Sequence, residues 1–168
     1  MSRTPVVRQI SWLAVLPQIG ALGGAMAIGV FLTRTSNGIV LGAVAYLTYS
    51  VGSRVLIARA HRRGMQLYRN QQYAAAIQAY EESYDFFARN TWIDCFRAVV
   101  MMSPSAISYR EMALCNIAFC YSQLGDGQNA ESYYRRALDE FPNSGLAGAA
   151  LRMIESVRHQ PSEPAIAK

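Results

Sequence analysis

Residues 111–144 read EMALCNIAFCYSQLGDGQNAESYYRRALDEFPNS and carry the strongest structural signal in the chain. On both sides of a turn at residues 124–127, apolar residues recur at the spacing of one helical face. Gly125 permits a tight turn, and Pro142 ends the second helix because proline cannot continue the hydrogen-bond ladder. The stretch therefore predicts two antiparallel helices joined by a short turn.

The same stretch closely resembles a tetratricopeptide repeat, a 34-residue unit of two helices. Its signature positions are filled by Leu114, Asn116, Ile117, Ala118, Tyr121, Ala130, Tyr134, Ala137 and Leu138. Gly127 departs from the pattern, because the family usually has an aromatic residue there. Ala118 and Ala130 are expected to be small because the two helices cross closely at these positions, and Tyr121 and Tyr134 are expected to fill the space between the helices.

A weaker copy of the motif lies upstream, at residues 57–90. It keeps four signature residues at matching spacings: Gly64, Tyr73, Ala76 and Tyr80. Leu67 replaces an aromatic residue, Ser83 replaces an alanine, and the turn at residues 70–72 contains no glycine. We therefore expect an all-α, tetratricopeptide-like domain over residues 59–159, ending in a cap helix at 144–159. The tail 160–168 is expected to be disordered.

The two copies start 54 residues apart, where adjacent repeats of the family would start 34 apart, so residues 91–110 form an insert of about 20 residues. An apolar set falls on one helical face or directly follows it: Trp92, Phe96, Val99, Val100, Met101 and Met102. We predict an inserted helix, with the next helix starting near residues 103–105. Three roles stay open: a helix that completes a small core, an interfacial helix lying on lipid, or a partner-binding edge.

The first half of the chain differs in composition from the second. Between Met1 and Tyr80 there are eight arginines and no acidic residue, whereas all eleven acidic residues lie from Glu81 onward. The formal charge of +5 therefore describes a basic, apolar front and a mildly acidic rear. This asymmetry favours a membrane over nucleic acid as the partner of the basic half.

Two apolar segments in this front half predict a membrane anchor over residues 1–58. Residues 10–32 carry no charge and would form a helix about 34 Å long, enough to cross a hydrocarbon core of about 30 Å. The second span, 38–58, contains a single charged residue, Arg54. It lies near the end of the span, and its side chain is expected to extend toward the headgroups. The short connector makes the spans an antiparallel hairpin. The second span is predicted to continue unbroken into the first repeat helix.

Small residues recur at four-residue spacing in both spans, and these positions are expected to pack the hairpin helices together: Gly20, Gly24, Gly29, Gly38 and Gly42. The alternative is that glycine is simply common in such helices. A glycine-rich face left free by hairpin closure is a possible docking surface for another membrane protein.

The arginines also predict the orientation. Arg3 and Arg8 precede the first span and a cluster at residues 54–63 flanks the end of the second, whereas the connector contains only Arg34. The positive-inside rule then places both termini in the cytoplasm. We expect a multi-pass protein of the bacterial inner membrane. A cleaved signal peptide is disfavoured, because the first apolar run is too long and another span follows directly.

The sequence contains no motif with the residues and spacing of a catalytic, metal-binding or cofactor-binding site. His61 and His159 have no metal-ligand companions at useful spacing, and the three cysteines form no CxxC pair and are expected to be buried thiols. No phosphate loop or nucleophile–base set occurs. The sequence therefore predicts no catalytic residue, no metal and no cofactor, and a protein that is not an enzyme.

What the tetratricopeptide resemblance implies is protein binding, in the concave face formed by the first helix of each repeat. The residues expected to offer that face to a peptide or helix are His61, Met65, Tyr68, Met112, Cys115, Asn116, Phe119 and Ser122. Two functions stay open. One is a membrane-anchored adaptor with the groove at the cytoplasmic face. The other is an assembly factor or accessory subunit held mainly through the hairpin.

Overall fold

The computed structural model describes residues 15–103 and 105–158, and all nine elements in this part of the chain are α-helices. They are α1 (Val15–Thr33), α2 (Gly38–Ile57), α3 (Arg59–Arg69), α4 (Tyr73–Arg89), α5 (Thr91–Cys95), α6 (Arg97–Val100), α7 (Tyr109–Gln123), α8 (Gly127–Glu140) and α9 (Gly145–Arg158). The predicted all-α class is confirmed. Residues 10–14 of the predicted first span, Pro104, His159 and the tail 160–168 lie outside the described residues.

Helices α1 and α2 form an antiparallel hairpin that is closest near its connector. A methyl group added to Gly29 would overlap the carbonyl oxygen of Gly38, and one added to Gly42 would overlap the carbonyl oxygen of Ala25. Glycine at these positions therefore lets the two backbones touch. The structure brings Gly29, Gly38 and Gly42 together as predicted from sequence. A side chain at Gly20 or Gly24 would meet nothing within 4 Å, so the expectation that these two pack the hairpin is wrong.

The outward surface of this hairpin is apolar. Both helices are long and apolar enough to cross a membrane. Unlike core helices of a compact domain, they leave most of their large side chains uncovered: Leu16, Ile19, Ile28, Phe31, Leu32, Val40, Leu41, Val44, Leu47, Val51 and Leu56 are exposed, with Phe31 at 79% and Leu56 at 72%.

Helix α2 leads into α3 with a one-residue interruption at Ala58. The prediction of an unbroken helix is therefore wrong in detail, because Ala58 takes φ −94° and ψ 24°, outside helical geometry. The hydrogen bonds continue across the break: the Ala58 N–H donates to Arg54 and the Arg62 N–H donates to the Ala58 carbonyl. Ala58 itself is buried. The hairpin and the repeat domain are thus joined without a linker.

The remaining helices form two antiparallel pairs, α3 with α4 and α7 with α8, and α9 packs on α8. The second helix of the first pair packs on the first helix of the second pair, since α4 lies against α7. Positions 54 residues apart in the two pairs share their burial: Gly64 matches Ala118, Ala76 matches Ala130, Tyr80 matches Tyr134 and Ser83 matches Ala137. We call α3, α4 and α7–α9, with the insert, the repeat domain.

The insert contains two short helices, α5 and α6, where one was predicted. Phe96, with φ −96° and ψ 22°, separates them. The next helix starts at Tyr109, later than the predicted start near residue 103. Its N-cap is Ser108, whose hydroxyl accepts a hydrogen bond from the Glu111 N–H at 3.0 Å. The sequence Ser108-Tyr-Arg-Glu111 is a capping-box pattern and was the local signal for this start.

Candidate functional site: a groove along the inner helices

Two adjoining cavities lie along the inner face of α7. The first, about 570 Å³, opens between α3, α7 and residues 103–107, and the second, about 830 Å³, opens between α7 and α9. Cys115, Asn116 and Leu146 line both cavities. We call the two together the groove. The volume of each cavity is in the range of sites that bury a ligand or a few side chains of a partner.

All eight residues expected on the binding face line this groove. The first cavity is lined by His61, Met65, Tyr68, Met112, Cys115 and Asn116, and the second by Cys115, Asn116, Phe119 and Ser122. Met65 and Phe119 are exposed, whereas His61 and Cys115 are almost fully buried and present only an edge. That a partner binds these residues stays a prediction.

Helix α9 forms one wall of the groove. The sequence predicted only a cap helix here and no contribution to the binding face. Leu146, Ala150, Met153, Ile154 and Val157 line the second cavity. They recur at helical spacing, and this stripe is wider than the face that α9 needs to pack on α8. Met153 and Val157 remain 70% and 64% exposed. The excess apolar width of α9 was the signal for this wall.

The insert closes one end of the groove. Ser103, Ser105 and Ile107, which follow α6 in the chain, line the first cavity opposite Met65 and Met112. Their position depends on Arg97, which donates hydrogen bonds to the carbonyl oxygens of Ser105 and Ala106, each at 3.0 Å. The groove is therefore closed at the end formed by residues 103–107, and it continues from there into the second cavity, between α7 and α9.

His61 is a buried neutral histidine at the base of the first cavity. Its ring makes edge-on contacts with Tyr80 and Tyr109, with ring centroids 5.3 Å apart in both cases. Its Nδ1 lies 3.4 Å from the buried hydroxyl of Ser83. Burial among these groups lowers the pKa of the imidazole from 6.5 to about 4. His61 therefore acts as a packing residue at neutral pH and does not bring a charge to the groove.

The groove surface is mainly apolar. Three methionines, Met65, Met112 and Met153, line it from α3, α7 and α9, and Tyr68 contacts Phe119 with ring centroids 5.6 Å apart. Besides His61 and the tyrosines, the polar residues on its lining are Arg69, Glu111, Asn116, Ser122, Gln123, Ser103 and Ser105. Methionine side chains adapt to irregular apolar partners. The groove suits the apolar face of a helix better than an extended polar peptide.

The insert is fastened to the hairpin by α2. Tyr49 donates its hydroxyl to the carbonyl oxygen of Val100 at 3.0 Å. Arg54 donates from Nε to the carbonyl oxygen of Met101 at 3.1 Å and from its guanidinium to that of Met102. Three consecutive carbonyls of the insert thus have partners on α2. Arg54, which was expected to extend toward the headgroups, has its guanidinium fixed by these carbonyls, which α6 cannot satisfy itself, and its depth in a membrane stays a prediction.

The insert residues expected to contact lipid or a partner separate into two groups. Trp92, Phe96 and Val99 are 56%, 62% and 51% exposed. Met101 and Met102 are buried, and Met101 packs in a cluster with Ala58, Phe87 and Ile93, so the docking role is wrong for both methionines. Cys95 is exposed, contrary to expectation, whereas Cys115 and Cys120 are buried thiols.

Comparison with known proteins bears on the second helix pair. Residues 113–144, which cover most of α7 and all of α8, match the tetratricopeptide repeat family. Helices α7 and α8 form a tetratricopeptide repeat. No curated protein and no solved structure matches the chain. Tetratricopeptide repeats are protein-interaction modules and are not usually catalytic, so the match indicates a role in protein–protein interaction. The upstream pair α3–α4 lies outside the match.

Among the described residues, no group of three or more His, Cys, Asp or Glu side chains could hold a metal ion. The one buried carboxylate of the insert, Asp94, accepts hydrogen bonds from the N–H groups of Tyr109 (2.8 Å) and Arg110 (3.3 Å). It therefore supports the start of α7, where a negative charge is favourable.

Proposed function

We propose that this chain is a membrane-anchored adaptor whose groove binds an apolar, helical segment of a protein partner at the cytoplasmic face of the membrane. The observation that carries the proposal is the join between hairpin and groove. An apolar hairpin with uncovered side chains leads, across Ala58 alone, into α3, which lines the groove. A surface of this kind is unfavourable in water and favourable in lipid.

The charge distribution supports the orientation. Arg59, Arg62 and Arg63 are exposed directly after α2, at the level where the chain would leave the bilayer. The α1–α2 connector contains only Arg34. Positive residues concentrate on the cytoplasmic side of membrane proteins. The groove would then face the cytoplasm, and the bacterial inner membrane is the location we propose.

A second function is favoured by one feature of α1. Gly20, Gly23 and Gly24 have open space around them in the described part of the chain, since the hairpin is closed by other glycines. Small residues without a neighbour in lipid allow another helix to approach closely. The chain would then be an assembly factor or accessory subunit of a larger membrane complex. Helix α1 would make the main contact with that complex, and the groove would contribute less to binding.

Substitutions in the full-length chain separate the two functions. Phe119→Asp and Met153→Asp place a charge in the groove, and Leu124→Asp makes the same kind of change at an exposed site in the α7–α8 turn, outside the groove. Partners are crosslinked in membranes and recovered with each variant. The adaptor predicts that the crosslinked partner is lost with the two groove variants and kept with Leu124→Asp.

The alternative predicts the opposite pattern. Gly24→Leu fills the open face of α1, and Ala45→Leu, at an exposed position of α2, is its matched control. Loss of the partner with Gly24→Leu, together with retention in the groove variants, would refute the adaptor and support the accessory subunit. Retention of the partner in all these variants would exclude both surfaces.

A further inference from the structure

The insert presents an outward surface without charge. From Thr91 to Val100, which covers α5, Phe96 and α6, the exposed residues are Thr91, Trp92, Cys95, Phe96 and Val99. Both charged residues of α5 and α6 are directed to the protein backbone. Asp94 is 2% exposed, and Arg97 donates to the carbonyl oxygens of Asp94, Ser105 and Ala106. A surface loop in water usually shows the reverse, with its charges outward.

The hydrogen bonds from α2 place this surface beside the apolar hairpin. Tyr49 and Arg54 lie in the last two to three turns of α2, and Ile57 is its final residue. At a rise of 1.5 Å per residue, Tyr49 is about 12 Å from that end. Helix α6 also contacts α1. A span that begins at Gly38 reaches about 30 Å at Ile57, so a bilayer that covers α2 would place the insert between the headgroups and a depth of about 12 Å in the hydrocarbon core.

The backbone polar groups at the end of the insert have hydrogen-bond partners within the protein, as a position next to lipid requires. Non-helical backbone next to lipid needs its polar groups satisfied within the protein. The carbonyls of Val100, Met101 and Met102 accept from Tyr49 and Arg54, and the Met101 and Ser103 N–H groups donate to the Arg97 carbonyl at 3.1 and 3.0 Å. The segment that leaves α6 therefore has internal partners where water would be scarce.

The surroundings of the insert suit a lipid surface as its partner. Arg59, Arg62, Arg63 and Arg89 are exposed on the neighbouring ends of α3 and α4. Arginines at this level attract anionic headgroups. The uncharged surface of the insert lies beside the apolar surface of α1 and α2, so the same lipid leaflet can cover both surfaces.

We propose that the insert is an interfacial membrane element, with Trp92, Phe96 and Val99 inserted at the boundary between headgroups and acyl chains. Tyr49 and Arg54 hold it against α2, and the exposed arginines contact anionic headgroups. This inference rests on the membrane anchoring in the proposed function. An aromatic and aliphatic face of this kind lies about 5–10 Å into the boundary region in interfacial helices. The insert then fixes the height of the groove above the bilayer.

Tryptophan fluorescence tests the inference in the full-length protein. The chain has two tryptophans, so Trp12→Phe leaves Trp92 as the single emitter. The variant is reconstituted in phosphatidylcholine vesicles containing a minor share of phosphatidylglycerol, with or without brominated acyl chains. We expect Trp92 emission to be quenched by bromine near the headgroup end of the chains and to be protected from aqueous acrylamide.

Two reference tryptophans, each in a Trp12→Phe, Trp92→Phe background, separate the possible failures. Leu47→Trp reports the middle of α2 and Leu124→Trp reports the far end of α7; both native side chains are exposed. If bromine quenches the tryptophan at 47 while Trp92 responds only to acrylamide, the insert is in water, and the inference fails with the anchoring intact. If bromine quenches neither, the anchoring itself fails. Protection of Trp92 from both quenchers would mean that protein covers it, which also overturns the inference. The tryptophan at 124 should respond to acrylamide alone.

Discussion

Gly64 in α3 faces the ring of Tyr80 in α4 so closely that a methyl group would lie 2.7 Å from Cε1 and 2.8 Å from Cδ1. Tyr80 is buried and cannot move aside without opening the helix pair. We predict that Gly64→Ala lowers the free energy of unfolding by about 1–3 kcal/mol, the usual cost of overpacking. Chemical unfolding of the detergent-solubilised chain measures this change.

Gly127 provides the matched control for that substitution. It is the first residue of α8 and has open space where a side chain would lie. Gly127→Ala should therefore stabilise the chain by about 0.5–1 kcal/mol, because alanine loses less conformational entropy in a helix. Equal effects of the two substitutions would contradict the close contact between α3 and Tyr80.

His61 makes the stability of the repeat domain depend on pH. Burial lowers the pKa of the imidazole from 6.5 to about 4, so between these values the unfolded chain binds a proton that the folded chain does not. This contribution is fully present above pH 6.5 and is lost as the pH falls toward 4, by about 3 kcal/mol in total. We predict that His61→Phe abolishes this part of the pH dependence of the unfolding free energy. An unchanged slope in the variant would assign the dependence to the acidic groups.

Single positions of the repeat could be predicted from the sequence because each packing position between the two helices requires a side chain of a particular size. The small residues at 118 and 130 and the tyrosine at 134 were expected where helices cross, and Ala118, Ala130 and Tyr134 are buried there. Gly20 was misplaced for a related reason. Its spacing is correct for a packing face, but spacing along one helix does not say where along its length the second helix makes contact.

At the scale of an element, the insert depends on two side chains of α2. Removing the guanidinium of Arg54 leaves the carbonyls of Met101 and Met102 without their donors, and hydrogen bonds to a charged group are worth about 1.5–3 kcal/mol each. We predict that Arg54→Leu speeds amide hydrogen exchange at Met101 and Ser103, which donate within the insert. Mass-resolved exchange of peptides spanning residues 97–103 measures this.

Two further substitutions at the same contact grade the effect. Arg54→Lys keeps the charge but loses the fork that reaches two carbonyls, so its exchange rates should lie between those of the native chain and Arg54→Leu. Tyr49→Phe removes a single neutral hydrogen bond and should have the smallest effect. Identical exchange in all three variants would show that the insert is held by its buried methionines alone.

Elements whose partners are local were predicted better than the insert. The α7–α8 pair is determined by neighbours within a few turns, and its turn residues at 124–127 appear where the sequence placed them. The insert carries an apolar pattern at 92, 96 and 99 that is compatible with one helix, but the chain breaks at Phe96 so that Met101 can enter the cluster with Phe87. Sequence periodicity does not contain the tertiary contacts with Arg54 and Tyr49.

For the whole molecule, the proposed orientation predicts which sites are reached from each side of the membrane. Ser36→Cys, in the α1–α2 connector, should react with an impermeant maleimide added to intact cells. Leu124→Cys, in the α7–α8 turn, should react only after lysis. Both are made in a Cys95→Ser background. Burial raises the pKa of the Cys115 thiol to about 12 and that of Cys120 to about 11, so the two remaining native thiols stay unreactive.

The outcome of this labelling bears on the localisation directly. Labelling of the cysteine at 124 in intact cells, with protection of that at 36, would invert the orientation and place the groove outside. Labelling of both sites in intact cells would contradict two complete spans. A hairpin that crosses twice requires the connector and the turn to lie on opposite sides.

The one-residue join at Ala58 also sets how a partner would be captured. Without a flexible tether, the groove does not sweep a volume above the bilayer. From Glu111 to Gln123 the groove extends about 18 Å along α7, a distance that about six extended residues cover. A partner anchored in the same membrane, with a linker of about that length before its binding segment, would meet the groove at a high effective concentration. The effective concentration of a cytosolic partner would not be raised by the anchor.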